Sequence, residues 1–208
     1  MMQKIEKYKT IGNFHETNLK EKSSVFNAQA YPVENEEDAV QILEAAKKKY
    51  YDATHHCYAY KLLGEKIKYS DAGEPSGTAG IRILNAINHF NLQNILVIVI
   101  RYFGGTKLGV GLLGKTYYNS AIQTLEQSQI IEKKAYKKIL IETDLNQVNN
   151  VYHLVDEFNG KITRSDYSDN VKFECLVYNE KAEQFETKIN EMSKGEAKIF
   201  IEKNLIFI

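Results

Sequence analysis

Two glycine-bearing segments hold most of the residues that could do chemistry. In the first, Asp71 and Glu74 form a carboxylate pair beside Pro75, Ser76, Gly77 and Thr78. Paired carboxylates do acid–base work in hydrolases, and they also cap turns and helix starts. Ser76 could be a nucleophile only with a base beside it, which His55 or His56 would have to supply. Equally, Ser76 could cap the helix that follows, with Glu74 near its positive end. In the second segment, Arg101, Tyr102 and Phe103 precede Gly104, Gly105, Lys107, Gly109 and Gly111. An arginine, two aromatic rings and a lysine around a glycine turn suit phosphate contacts and stacking on a single-stranded base. The same arginine would serve as well in an ion pair with Asp71 or Glu74 that fastens a tight turn.

Two further motifs invite specific chemistry. Gly109-Val110-Gly111-Leu112-Leu113-Gly114-Lys115-Thr116 fits the P-loop pattern G-x-x-x-x-G-K-[ST]. In a true P-loop the lysine reaches the phosphates and the hydroxyl holds Mg²⁺, directly after a strand. Here residues 101–108 intervene, and Leu112-Leu113 reads as the start of a packed helix. In His55-His56-Cys57, His55 and Cys57 share one face of a strand while His56 points away. Zinc needs four ligands, or three and a water. His15, His89, His153 and Cys175 show no ligand spacing. Packing and strand-end hydrogen bonds are therefore the expectation, with no metal and no cofactor.

The elements that must position these residues follow from periodicity. Loose alternation over residues 8–33 predicts strands. A helix starts at Asn35, with Glu36, Glu37 and Asp38 at its positive end and Lys47, Lys48 and Lys49 at its negative end. The lysine run therefore complements the helix dipole rather than marking a nucleic-acid patch. Residues 54–63 and 67–70 read as strands, and Gly80, Ile83, Leu84 and Ile87 as one helix face. The β-branched run 94–100 predicts a buried central strand. The next helix turns Tyr118, Ala121, Ile122 and Leu125 inward. Near Glu132 the pattern restarts, and the order βαββαβ over the last ~70 residues is that of a split βαβ unit, the ferredoxin-like sandwich. Its two middle strands are joined by a turn at Ser168, Asp169 and Asn170.

Composition bounds the function. Hydrophobic residues make up 43% and charged residues 26% of the 208, ordinary globular usage. Lys+Arg and Asp+Glu are equal at 27 each, which excludes a broadly basic surface for polyanions. The charge is nonetheless uneven: residues 1–135 carry +3 and residues 136–208 carry −3. Between Glu74 and Glu126 there is no acid at all, while Arg82, Arg101, Lys107 and Lys115 are present. The longest apolar run, residues 95–100, is far short of the ~20 residues of a membrane helix. The charged N-terminus is no secretory signal, and two distant cysteines are no disulfide framework. A cytoplasmic protein without membrane contact is the expectation.

At these residues the chain resembles the IMPACT/YigZ family. The matching segments are Tyr31-Pro32-Val33, Asp52-Ala53-Thr54-His55-His56-Cys57-Tyr58-Ala59-Tyr60, Ser70-Asp71-Ala72-Gly73-Glu74-Pro75-Ser76-Gly77-Thr78-Ala79-Gly80, and Arg101-Tyr102-Phe103-Gly104-Gly105-Thr106-Lys107-Leu108-Gly109. The resemblance covers roughly residues 1–132. It implies an N-terminal domain, residues 1–134, with the α/β fold of the second domain of a small-subunit ribosomal protein, also seen in elongation factor G. It implies a ferredoxin-like C-terminal domain, residues 135–208, similar to another domain of elongation factor G. By the resemblance, the eukaryotic relative regulates translation under amino-acid starvation and has an extra N-terminal partner-binding domain that is not expected here, so its kinase-pathway role is not carried over. The bacterial members resemble accessory proteins without an agreed reaction. The chain departs from the family after Gly109: Leu112 replaces a glycine and Lys115-Thr116-Tyr117 replaces Arg-Ala-Tyr. Val25 stands where the family often has arginine.

The expectation is thus a two-domain α+β and α/β protein, non-enzymatic and associated with translation or stress. It would bind RNA, the ribosome or translation factors through Asp71, Glu74, Ser76, Gly77, Thr78, Arg101, Tyr102, Phe103, Gly104, Gly105, Lys107, Gly109, Gly111 and Lys115. Arg101 and Lys107 would contact phosphate, Tyr102 or Phe103 would stack, and Asp71 and Glu74 would order the loops. The alternatives are a hydrolase using Asp71, Glu74, Ser76 and the histidines, a nucleotide hydrolase using Lys115, and a protein-interaction adaptor.

Overall fold

The computed structural model describes residues 5–208 except Glu65, Ser168 and Asp169. The chain is an α+β protein that divides into two compact units, Lys9–Glu132 and Lys133–Ile208, the latter joined by the segment ending at Tyr8. The expected turn at Ser168 and Asp169 lies outside the described residues.

The first unit is built on a five-stranded sheet in the order β2-β3-β6-β4-β5. Its strands are β2 (His15–Glu21), β3 (Ser24–Pro32), β4 (His55–Lys61), β5 (Ile67–Ser70) and β6 (Ile95–Tyr102). Every neighbouring pair is antiparallel. Central β6 is covered on both faces, which is why residues 95–100 are all apolar. Ile95, Val97 and Val99 pack with α2 (Gly80–His89) and α3 (Val110–Gln127). Leu96, Ile98 and Ile100 pack with α1 (Glu36–Lys49) on the other side. The start of α1 is set as its sequence requires: the Asn35 side chain accepts from the Asp38 N–H at 2.8 Å, worth about 1 kcal/mol.

Helix α3 differs from its expected orientation by about one position. Leu113, Tyr117, Ala121 and Leu125 are the buried residues at i, i+4 spacing, while Tyr118 and Ile122 are only partly buried. This rotation brings the Tyr117 hydroxyl into the interior, where it matters for the site.

The second unit holds β7 (Ile130–Thr143), α4 (Val148–Glu157), β8 (Lys161–Asp166), β9 (Val171–Tyr178), α5 (Ala182–Met192) and β10 (Lys198–Phe207). The antiparallel strands run β7-β9-β8, with β10 on the other side of β7 and β1 (Lys7–Ile11) also paired to β7. Strand β7 runs through Glu132, the point where the sequence pattern restarts. The Glu6 carbonyl accepts from the Ala135 N–H at 2.8 Å, and the Tyr8 ring meets Phe207 edge-on at 5.2 Å. These contacts draw the N-terminal segment to this unit. Residues Val151, Val155, Phe185 and Ile189 of α4 and α5 pack on Ile139, Ile141, Phe173 and Cys175 of the sheet. Among the described residues no helix is long and apolar enough to cross a membrane.

Candidate functional site

The sheet register builds the site. Phe26, Arg101 and His55 are direct cross-strand partners on β3, β6 and β4. Side chains alternate along a strand, so Arg101 follows Ile95, Val97 and Val99 onto the face under α2 and α3. His55 and Cys57 share that face, as the sequence suggested. Tyr102 does not: it lies with the α1 side of the sheet, its hydroxyl donating to Asp52 Oδ1 at 3.0 Å. Of the two rings expected to stack, Tyr102 thus lies on the opposite face of the sheet from Arg101.

Arg101 is buried, and its partner is Glu74. The Arg101 Nη1 donates to Glu74 Oε1 at 2.6 Å, with the side chains only 6% and 4% exposed. Nη2 reaches the Ser24 hydroxyl at 3.4 Å, and Nε has no partner among the described residues. The guanidinium carbon lies 5.3 Å from the ring centroids of both Phe26 and Phe103, two cation–π contacts. Of the two arrangements the sequence offered, the ion pair with Glu74 is present, and it leaves the Arg101 side chain only 6% exposed.

The 71–80 loop is fastened at several points. The Asp71 carboxylate accepts from the N–H groups of Gly77, Ala79 and Gly80, each at 2.9 Å. Burial alone would raise this carboxyl, but those three N–H groups outweigh it and hold the carboxyl below its ordinary value. The cap that serves α2 is therefore Asp71. Ser76 is exposed and, among the described residues, makes no hydrogen bond with His55 or His56. The Thr78 hydroxyl donates to the Pro75 carbonyl at 2.6 Å.

His55 Nδ1 lies 2.9 Å from the Ala72 carbonyl oxygen and donates to it, which leaves Nε2 facing Glu74 Oε2 at 3.8 Å. Ala72 itself has a left-handed backbone, φ 46°, a conformation unusual for a residue with a Cβ. The Cys57 thiol donates to the Asp71 carbonyl at 3.0 Å and lies 3.3 Å from the Tyr117 hydroxyl. Burial is the main influence that pushes this thiol up to about 12, so it is an inert structural group. Tyr117 donates to Glu74 Oε1 at 2.7 Å. Burial first, then Cys57 and Glu74, keep its hydroxyl protonated. His56 is on the other face, its Nε2 3.0 Å from the Tyr50 carbonyl, and burial lowers its pKa. Among the described residues no group of three His, Cys, Asp or Glu side chains could hold a metal ion.

Two glycines are demanded by close approach. A Cβ on Gly80 would stand 2.7 Å from the Ser70 backbone, and one on Gly104 would stand 1.9 Å from the Ser23 carbonyl oxygen. The 103–109 segment is thereby pressed onto the β2–β3 turn, with Phe103 half-exposed and Lys107 exposed. Gly105 lies between them in this loop, also exposed.

The P-loop reading meets a direct obstacle. Gly109 precedes α3, and Gly111, Gly114, Lys115 and Thr116 lie within its first turns. Thr116 is buried and its hydroxyl donates to the Leu112 carbonyl at 2.8 Å. It cannot hold Mg²⁺ there, and no loop exists between Gly109 and Lys115 to wrap a phosphate. Arg82, which sequence reasoning did not assign, bridges the two segments. Its Nε donates to the Gly77 carbonyl at 3.2 Å, and a Cβ on Gly114 would lie 3.3 Å from it. Tyr117, Cys57 and Phe26 were also missed as members of the network. The i, i+4 row Leu113, Tyr117, Ala121 and Leu125 was the signal for the first.

Fold and site together define a two-unit α+β protein whose first unit locks two glycine segments over a buried carboxylate–guanidinium pair. The Impact N-terminal domain family matches residues 22–125, and a domain of unknown function, DUF1949, matches residues 141–196. The chain belongs to the IMPACT family. It is 30% identical over 198 residues to IMPACT family member YvyE of Bacillus subtilis, covering 94% of this chain and 91% of that protein. It is 29% identical over 178 residues to IMPACT family member YigZ of Escherichia coli, covering 84% and 87%. Protein IMPACT of Oryctolagus cuniculus is 34% identical over 100 residues, 46% of this chain and 32% of that protein. A crystal structure described as a hypothetical protein superposes with a TM-score of 0.68 at 27% identity, covering 96% of this chain and all of the other.

Proposed function

We propose that the protein is a non-enzymatic accessory factor of translation in the cytoplasm, binding RNA or ribosomal components beside the 71–80 and 103–111 segments. The observation that carries this reading is the contrast between two helix starts. The N–H groups at the start of α2 are taken by Asp71. Helix α3 begins after Gly109 with no side-chain cap and no acid in its first turn, so its N–H groups and partial positive charge stay open to an anion. Exposed Lys107 and Lys115 flank that start, Arg82 packs against Gly114, and residues 75–125 contain no carboxylate to compete. Phe103, 44% exposed, offers a ring for a base. In this reading Arg101 holds Phe103 from beneath, while Asp71 and Glu74 order the loops.

The finer fold readings rest on related support. The strand order β10-β7-β9-β8 with α4 and α5 is what favours a ferredoxin-like second unit. The ribosomal-protein-like reading of the first unit is supported by the quoted loop motifs and by a sheet whose one face carries α2 and α3.

Fluorescence anisotropy with single-stranded RNA, together with co-sedimentation with ribosomes, tests the proposal. Lys107→Ala with Lys115→Ala weakens binding and flattens the log–log salt slope by about 0.7 per lost cation. Absent or salt-independent binding by the wild type refutes it. A partner retained after nuclease treatment replaces RNA with a protein.

A further inference from the structure

The second unit gathers cations around a tyrosine pair that the proposed RNA surface does not use. Tyr136 on β7 and Tyr178 on β9 are direct cross-strand partners. Their rings stack 4.6 Å apart at 30°. Lys134 and Lys181 place their ammonium groups 5.5 Å and 5.9 Å from the Tyr178 ring centroid, and Lys161 lies 5.7 Å from that of Tyr136. These lysines come from β7, from the turn before α5 and from β8, so the sheet and not local sequence assembles them. None of the three pairs with a carboxylate among the described residues.

Like charges gathered this way repel, and ring faces offset the repulsion by only about 0.5–1 kcal/mol each at exposed sites. An anion among them would remove the repulsion outright. Tyr178 reports the local field. The hydrogen bond from Tyr136 is the main influence lowering its pKa, and Lys134, Lys161 and Lys181 lower it further against burial. The potential that favours a phenolate oxygen there favours any bound oxyanion.

There is also room. A cavity of about 490 Å³ is lined by Lys134, Tyr178, Lys181 and Asn159, a size that suits small ligands. Two glutamates also line it. Of these, Glu6 already accepts the Asn179 amide at 2.9 Å, and Glu180 is exposed. Separate point charges from three elements suit a tetrahedral, multiply charged anion. A planar carboxylate is better matched by the fork of an arginine.

We propose that this cavity is a phosphate site, in which Lys134 and Lys181 hold the phosphates of a phosphorylated ligand against the Tyr178 hydroxyl, with Lys161 adding its charge from beside the tyrosine pair. The site is on a different unit from the proposed RNA surface and does not depend on it. The phosphates could belong to a free nucleotide or to an RNA chain, and competition separates the two.

The test is calorimetric titration of the full chain with inorganic pyrophosphate at low ionic strength. Wild type binds, and Lys134→Ala with Lys181→Ala loses at least about tenfold in affinity. Lys107→Ala with Lys115→Ala leaves pyrophosphate affinity unchanged. Circular dichroism checks that the variants fold. Lys161→Gln, at an exposed position, gives a second loss should the double variant not fold. Displacement of pyrophosphate by single-stranded RNA assigns the phosphates to a chain. Displacement by adenosine diphosphate where RNA fails assigns them to a free nucleotide. Absence of pyrophosphate binding, an unchanged affinity in both cavity variants, or failure of both competitors overturns the proposal.

Discussion

Replacing Glu74 by glutamine should be among the costliest isosteric changes in the first unit. The carboxylate sits 2.6 Å from Arg101 Nη1 and 2.7 Å from the Tyr117 hydroxyl, inside a site where both charged side chains are almost fully enclosed. Solvent therefore cannot screen Arg101 once its counter-charge is gone. Removing one partner of a buried pair costs about 3–5 kcal/mol. Glutamine keeps an acceptor oxygen for Tyr117 or Arg101, which puts the expected loss at the lower end, about 3 kcal/mol. With a urea m-value of about 1.5–2 kcal/mol/M, the midpoint of the first unit falls by about 1.5–2 M. The chain has no tryptophan but 14 tyrosines, so far-ultraviolet circular dichroism and tyrosine fluorescence provide two probes. Glu74→Leu with Arg101→Met removes both charges together and should recover much of the loss, because a paired apolar replacement is often near neutral. A midpoint drop under about 0.5 M for Glu74→Gln, or a double variant worse than the single, would refute the argument that an uncompensated buried arginine sets the cost.

Two further outcomes follow from the loop geometry. Asp71 has a carboxyl held below its ordinary value of 3.8, so its stabilising contribution is complete above that value and is lost as pH falls through the lowered one. Acid titration of stability should therefore fall less steeply below about pH 4 in Asp71→Asn than in wild type, with the variant about 1–2 kcal/mol less stable near neutrality through loss of the cap. Gly104→Ala and Gly80→Ala force a methyl onto the Ser23 and Ser70 backbones and should each cost several times more than Gly111→Ala, whose Cβ would meet nothing within 4 Å. In urea melts Gly111→Ala should match wild type or gain about 0.5 kcal/mol, and an equal cost at all three positions would sink the close-approach account.

What sequence could show depended on how local each cause is. Helix α1 was legible because its cap, its acidic start and its basic end all lie within the helix and its first neighbour. Strand β6 was legible because burial on both faces makes its first six residues, 95–100, all apolar. The cap of α2 was not, since the carboxylate of Asp71 lies eight and nine residues before the N–H groups of Ala79 and Gly80 that it accepts, and a nearer serine was the obvious candidate. The Glu74–Arg101 pair was visible only as one of two options, because 27 residues separate its members and only the β4–β6 register brings His55, Arg101 and the intervening loop together. The face of α3 was misjudged by one position, since adjacent Tyr117 and Tyr118 are chemically alike and the glycines before them blur the apolar stripe.

The burial of Arg101 changes which residues can carry recognition. Its charge is spent inside the fold, so a phosphate approaching the loops would meet Lys107, Lys115 and Arg82 rather than Arg101. Its guanidinium nonetheless bears on the surface, because the rings of Phe103 and Phe26 each rest 5.3 Å from it. Glu74 fixes the guanidinium, the guanidinium contacts the ring, and Gly104, next to that ring's residue, lies directly against Ser23. The two glycine segments are thus one mechanical unit: the first carries the carboxylate and the second carries the ring that the carboxylate positions through Arg101. Both oxygens of the Glu74 carboxylate already face partners, buried Arg101 and Tyr117 at one and partly exposed His55 at the other. An exposed aromatic held this firmly loses little freedom on contact, which is the physical advantage of anchoring it from below.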